Sequence, residues 1–62
     1  MSRVIYNIDG KVIFNSPGDQ MFINFVKRLA IENEDEERVI DNLDEALYYL
    51  DTYCPNLELV NK

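Results

Sequence analysis

Sixty-two residues carry six bases and twelve acids, a formal charge of −6, with 47% apolar residues, no His, no Trp and a single Cys. A chain this short forms one domain around one small core and buries only about 60% of its unfolded surface, which leaves self-association or docking on a partner as a source of stability. One Cys excludes an internal disulfide and, with no His, the ordinary structural zinc sites, while the supply of Ile, Leu, Val, Phe and Tyr argues against disorder.

Val4-Ile5-Tyr6-Asn7-Ile8 and Lys11-Val12-Ile13-Phe14 are β-branched and aromatic runs separated by Asp9-Gly10. That dipeptide is a strong hairpin signal, because a type I′ turn needs positive φ at both central positions. With Ile8 opposite Lys11, one face of the hairpin takes Val4, Tyr6, Ile8 and Ile13 and the other takes Ile5, Val12 and Phe14. Both faces are largely apolar, so the second needs cover from the chain's end, another copy or a partner.

Ser16-Pro17-Gly18-Asp19 reads as a helix start, with Ser as N-cap, Pro in the first turn and Asp at the positive end of the dipole. At 100° per residue Met21, Phe22, Ile23, Phe25, Val26, Leu29 and Ala30 share a broad arc, which predicts a helix to about Ile31. The next segment allows two parses. Asn33 with Glu36 fits a capping box and favours one helix over residues 34–53, whose stripe of Val39, Ile40, Leu43, Ala46, Leu47, Leu50, Tyr53 and Cys54 keeps its phase. Asn42 with Glu45 is a second capping box, and it supports a break followed by a helix over 43–53. Pro55 ends either version, and Leu57-Glu58-Leu59-Val60 alternates as a third strand would. The expected architecture is a small single α+β domain over residues 1–62, in the order β-β-α-α-β, with a short antiparallel sheet and two helices packed on one face.

The charge is unevenly placed. Residues 1–30 hold four bases and two acids, a sum of +2, whereas residues 31–62 hold two bases and ten acids, a sum of −8. The acidic half would repel nucleic acid and membrane surfaces and attract basic protein surfaces.

Enzymatic chemistry lacks its usual parts. No His is present to activate a Ser or Cys nucleophile, and Gly10 and Gly18 make no phosphate-binding loop. Paired carboxylates would need a pocket that separates their pKa values, which a domain this small has little interior to supply. The acids at 32–37 lack the alternating ligand spacing, central Gly and distal Glu of a calcium loop. Cys54 lies on the apolar stripe at a helix C-terminus, where the dipole disfavours a thiolate. No catalytic residue, metal or cofactor is therefore expected. No apolar run nears the roughly 20 residues of a bilayer span, the first residues lack the regions of a signal peptide, and a cytoplasmic, reducing setting is expected.

On a helix over 34–53, Glu34, Glu37, Asp41, Asp44, Glu45 and Asp51 share the polar side with Tyr48 and Tyr49. Tyrosine is enriched at interfaces because it offers a large, stiff surface with a polar tip. Eight carboxylates between residues 34 and 51 would fall about 3 Å apart, near the spacing of a single nucleic-acid strand and sparser than a duplex. These residues are the candidate site of a non-enzymatic module, an inhibitor or modulator that occludes a basic, nucleic-acid-binding type of surface on a larger protein. The alternative is a structural subunit that homo-oligomerises, as a homodimer for instance, through Ile5, Val12 and Phe14 on the uncovered face of the hairpin. Direct nucleic-acid binding through Lys11, Lys27 and Arg28 ranks third, since the overall field opposes it.

Overall fold

The computed structural model describes residues 2–35 and 37–61. Its first turn is set by Asn7 rather than by Asp9-Gly10 alone. The Asn7 carbonyl accepts from the Gly10 N–H and its N–H donates to the Lys11 carbonyl, both at 2.9 Å. Its Oδ1 also accepts from the Asp9 and Lys11 amides at 2.9 Å each. Only Gly10 takes positive φ here, at 78°. A three-residue loop, Ile8 to Gly10, thus replaces the expected two-residue turn, because an Asn side chain at the first turn position satisfies two amides that a type I′ turn would leave to solvent. Ile8 does not pair with Lys11; it sits at the tip, 76% exposed.

The strands are β1 (Arg3–Tyr6) and β2 (Val12–Ser16). Tyr6 pairs with Val12 and Ile5 with Phe14, so Ile13 is an extra residue in β2. The longer loop shifts the pairing by one residue and the bulge shifts it back. Beyond Ile13 the expected register therefore holds, and Ile5 and Phe14 share a face. Before it the register changes, and Val12 joins Val4 and Tyr6 on the opposite face instead of lying with Ile5 and Phe14.

Ser16 closes β2 and does not cap the helix. Its hydroxyl oxygen accepts from the Gly18 N–H at 3.2 Å, which turns the chain into helix α1 (Asp19–Glu32), with Gly18 at the N-cap. Phe22, Ile23, Val26 and Ala30 are buried on the predicted arc, and Met21 at its edge is exposed. Arg3 pairs with Asp19 at the helix start and lies 5.5 Å from the centre of the Phe22 ring.

Asn33 closes this helix and does not start another. The Glu34 N–H donates to the Ile31 carbonyl at 3.0 Å and the Asp35 N–H to the Ala30 carbonyl at 2.8 Å, with Glu34 at φ 62°. This is a Schellman stop, in which a left-handed residue lets the chain leave while the last carbonyls are satisfied. The single helix over 34–53 is thereby corrected. Glu36, the other half of the first capping box, lies outside the described residues. The second box is the one that forms: the Glu45 N–H donates to Asn42 Oδ1, and Asn42 Nδ2 donates to Glu45 Oε1, both at 2.9 Å. Helix α2 accordingly runs over Leu43–Tyr53.

Strand β3 (Glu58–Asn61) pairs antiparallel with β1, Leu59 opposite Ile5 and Val60 opposite Val4, giving the order β2-β1-β3. The architecture is the expected α+β fold, β-β-α-α-β, with one layer of helices on one face of the sheet. Ile5, Phe22, Val26, Ile40 and Tyr49 are the largest fully buried side chains, and Phe14 packs on Phe22 and Phe25 at ring separations of 6.1 and 4.8 Å. The Cα radius of gyration is 10.8 Å, against about 10.6 Å for a folded chain of this length. Among the described residues no helix is long and apolar enough to cross a membrane.

Candidate functional site

The eight predicted contact residues do not form one face. Helix α2 turns Ala46, Tyr49 and Leu50 into the core. At 100° per residue the direction opposite to them falls on Asp44, Tyr48 and Asp51, spaced i, i+4 and i+7, with Glu45 beside them. All four are exposed, Tyr48 at 59%. The other acids are placed differently. Glu34 is spent in the stop of α1, and Glu37 and Asp41 are exposed on the connection between the helices. With the long helix broken, the evenly spaced row of carboxylates is not formed.

Tyr49 is corrected from contact residue to core residue. It is 1% exposed, and its hydroxyl accepts from Asn33 Nδ2 at 3.1 Å. Its ring stacks on Tyr53 with centroids 5.0 Å apart. Arg38 completes this group from the connection. Its guanidinium lies 4.3 Å from the Tyr53 ring centre, Nε donates to Asp35 Oδ2 and Nη2 donates to the Tyr53 hydroxyl, both at 2.7 Å. The hydrogen bond that Arg38 donates to the Asp35 carboxylate raises the Arg38 pKa above its ordinary value. The cluster fastens the 33–42 connection onto α2, and the cation it uses is neutralised locally.

Tyr48 stands between two grooves. One, of 320 Å³, is lined by Arg38, Val39, Ile40, Asp44 and Glu45. The other, of 680 Å³, lies between α2 and β3, with Ile5 and Leu50 at its floor and Leu47, Leu57 and Leu59 at its sides. Asp51 and Tyr48 contribute its polar side chains from α2, and Glu58 borders it on β3, where strand alternation turns its side chain to the Tyr6 face. Carboxylates and a phenol around an apolar trough suit contact with a cationic, partly apolar surface. Among the described residues no group of three or more His, Cys, Asp or Glu side chains is placed to hold a metal ion. Cys54, at the C-cap of α2, has its thiol pKa raised by burial, with an opposing pull from the Asn33 amide, so the thiolate is disfavoured there.

The chain matches no protein-family model, no curated protein and no solved structure. What it does is therefore read from its own surface. Leu57, Glu58 and Leu59 were legible as an alternating strand, and their place beside α2 follows only from the pairing of β3 with β1. That pairing makes them part of the groove.

The opposite face of the sheet carries Val4, Tyr6, Val12 and Val60, with Val12 47% exposed. Ile5 and Phe14, expected on the uncovered side, lie instead beneath the helices. The uncovered face is therefore the other one, and its exposed apolar area is limited because Val4, in the central strand, is only 5% exposed.

Proposed function

We propose that the protein is a non-enzymatic, acidic binding module that docks the exposed face of α2 on a basic surface of a larger protein, and that it inhibits or modulates that protein by occlusion. The observation that carries this reading is the stripe Asp44–Tyr48–Asp51, an exposed aromatic flanked by carboxylates with an apolar trough on either side. An exposed Tyr with two neighbouring acids combines a desolvatable anchor with a steering field, and the nearest base, Arg38, is already engaged by Asp35. Surfaces that bind nucleic acid are basic, and a face of this sign competes for them. A cytoplasmic setting goes with this reading, since the one Cys has no second Cys in the chain to pair with.

The test is capture of partners from native cells by the wild-type chain and by a Tyr48→Ala, Asp44→Asn, Asp51→Asn variant, at low and high salt. A partner retained by the wild type at low salt and lost by the variant supports the reading. Equal capture by both chains would sink it.

A second reading has its own observation. Val12, 47% exposed, shares the face away from the helices with Tyr6 and Val60, a patch that a second copy would cover. Sedimentation at micromolar concentration separates the two, because a stable monomer there removes the homodimer.

A further inference from the structure

The sheet ends in two edges, the outer sides of β2 and β3, and among the described residues no strand pairs with either. In an antiparallel strand alternate residues turn their N–H and C=O groups away from the paired neighbour, so each edge presents main-chain donors and acceptors to solvent. The two edges are unequal. β2 carries the bulge at Ile13, which interrupts a regular ladder, whereas β3 pairs with β1 without a break and holds neither Pro nor Lys over Glu58–Asn61. The regular edge is also the one beside the 680 Å³ groove, a volume in the range of clefts that hold ligands.

We propose that an extended segment of a basic partner adds to β3 as a fourth strand and drops alternate side chains into the groove between α2 and β3. The proposal rests on the acidic docking reading above and specifies its partner chemistry. Side chains of a strand alternate between faces, and residues directly opposite one another point the same way. Positions of the added strand opposite Leu57 and Leu59 therefore face the groove floor of Ile5 and Leu50, where apolar side chains fit. The position opposite Glu58 points to the other face and meets a carboxylate, which selects Lys or Arg. Asp51 and Tyr48, on the α2 side of the groove, favour a second cation at its rim. The recognised chemistry is an extended segment in which apolar and basic residues alternate, held by main-chain hydrogen bonds along β3 and matched in charge to the −8 half of the chain.

The test uses the full chain and a panel of acetylated decapeptides alternating Lys or Arg with Leu, Val or Phe, followed by backbone amide NMR. The expected result is saturable shifts at residues 57–61 and 47–51, slowed hydrogen exchange at alternate β3 amides, and a Kd that rises at least tenfold when the pairing amides of the peptide are N-methylated. Glu58→Lys should weaken the same peptides at least tenfold and favour acidic counterparts. Modification of the peptide backbone leaves the protein's own folding untouched, so the N-methyl comparison stands even where a groove variant unfolds. Binding with no N-methyl penalty, shifts confined to Asp44–Tyr48, or no binding by any member of the panel overturns strand addition. Those results leave the occlusion reading to its own test, since partner capture that depends on Tyr48 and Asp44 would persist.

Discussion

The side-chain amide of Asn33, the residue that ends the first helix, donates to the hydroxyl of Tyr49 in the middle of the second at 3.1 Å. This bond satisfies a phenol that is otherwise surrounded by core, and it joins the two helices at the point where the chain leaves the first. Tyr49→Phe keeps the ring and removes the acceptor, so a loss of about 1 kcal/mol is expected, while Tyr49→Ala empties a core site and should cost about 3–5 kcal/mol. Urea unfolding of the two variants checks the ratio. Equal losses would mean that the hydrogen bond, and not the ring, makes the joint.

Glu34 takes φ 62° in the helix stop. The left-handed region costs a non-glycine residue roughly 1–2 kcal/mol, part of which glycine gives back through its greater freedom in the unfolded chain. Glu34→Gly should therefore stabilise the protein by about 0.5–1 kcal/mol, despite removing an exposed residue with no packing role. Thermal melting should show Tm rising by a few degrees. A fall would place the stop elsewhere.

Asn42 decides where the second helix begins. Asn42→Ala removes the acceptor for the Glu45 N–H and should cost about 1 kcal/mol. The competing continuous helix makes the opposite prediction, because there Ala would replace a poor interior residue and raise helicity. Circular dichroism and unfolding on the same variant distinguish them by sign.

These local devices explain what the sequence made legible and what it did not. Element order and class follow from periodicity and the alternation at Leu57–Val60, which report burial directly, and from Pro55, which cannot continue a helix. Apart from Ser16, which turns the chain without capping α1, the local ambiguities centre on asparagines. Asn7, Asn33 and Asn42 each satisfy backbone or side-chain groups at a turn or cap, and the same residue type serves a helix start, a helix end or a loop with similar local energy. Only the rest of the fold chooses among them. Asn33 became a stop because Ala30 and Ile31 needed partners for their carbonyls, and Tyr49 left the expected contact face because the true start of α2 at Leu43 fixes which residues face inward. The groove was invisible for a different reason, since it lies between elements that meet only through the pairing of β3 with β1.

Cys54 gives a pH signature. Burial raises its pKa, so the folded protein keeps the thiol proton to a higher pH than the unfolded chain does. Below the unfolded-chain value, about 8.5, both states are protonated and the contribution to stability is intact. As pH rises past it the unfolded chain ionises first, and stability declines until the folded thiol also titrates. Unfolding free energy measured between about pH 7.5 and 9.5 should fall more steeply for the wild type than for Cys54→Ser. Alkylation in the native state should also be slower than for a free thiol at the same pH. Identical pH slopes for the two chains would remove the burial effect.

Tyr48 and Tyr49 are adjacent, and opposite behaviour is expected of them. Tyr48 is 59% exposed, so Tyr48→Ala should change stability by no more than about 0.5 kcal/mol, as surface substitutions do. Its effect belongs to association. An exposed tyrosine that anchors an interface typically costs 2 kcal/mol or more when truncated, which is roughly thirtyfold in Kd, and the loss should persist at high salt because it removes packing. Asp44→Asn and Asp51→Asn should instead slow association at low salt and lose their effect as salt rises, since steering is screened within about a Debye length. Measuring on-rates and off-rates for the captured partner at two ionic strengths separates anchor from field. If Tyr48→Ala altered only the on-rate, or the two carboxylates only the off-rate, the roles given to this stripe would be reversed.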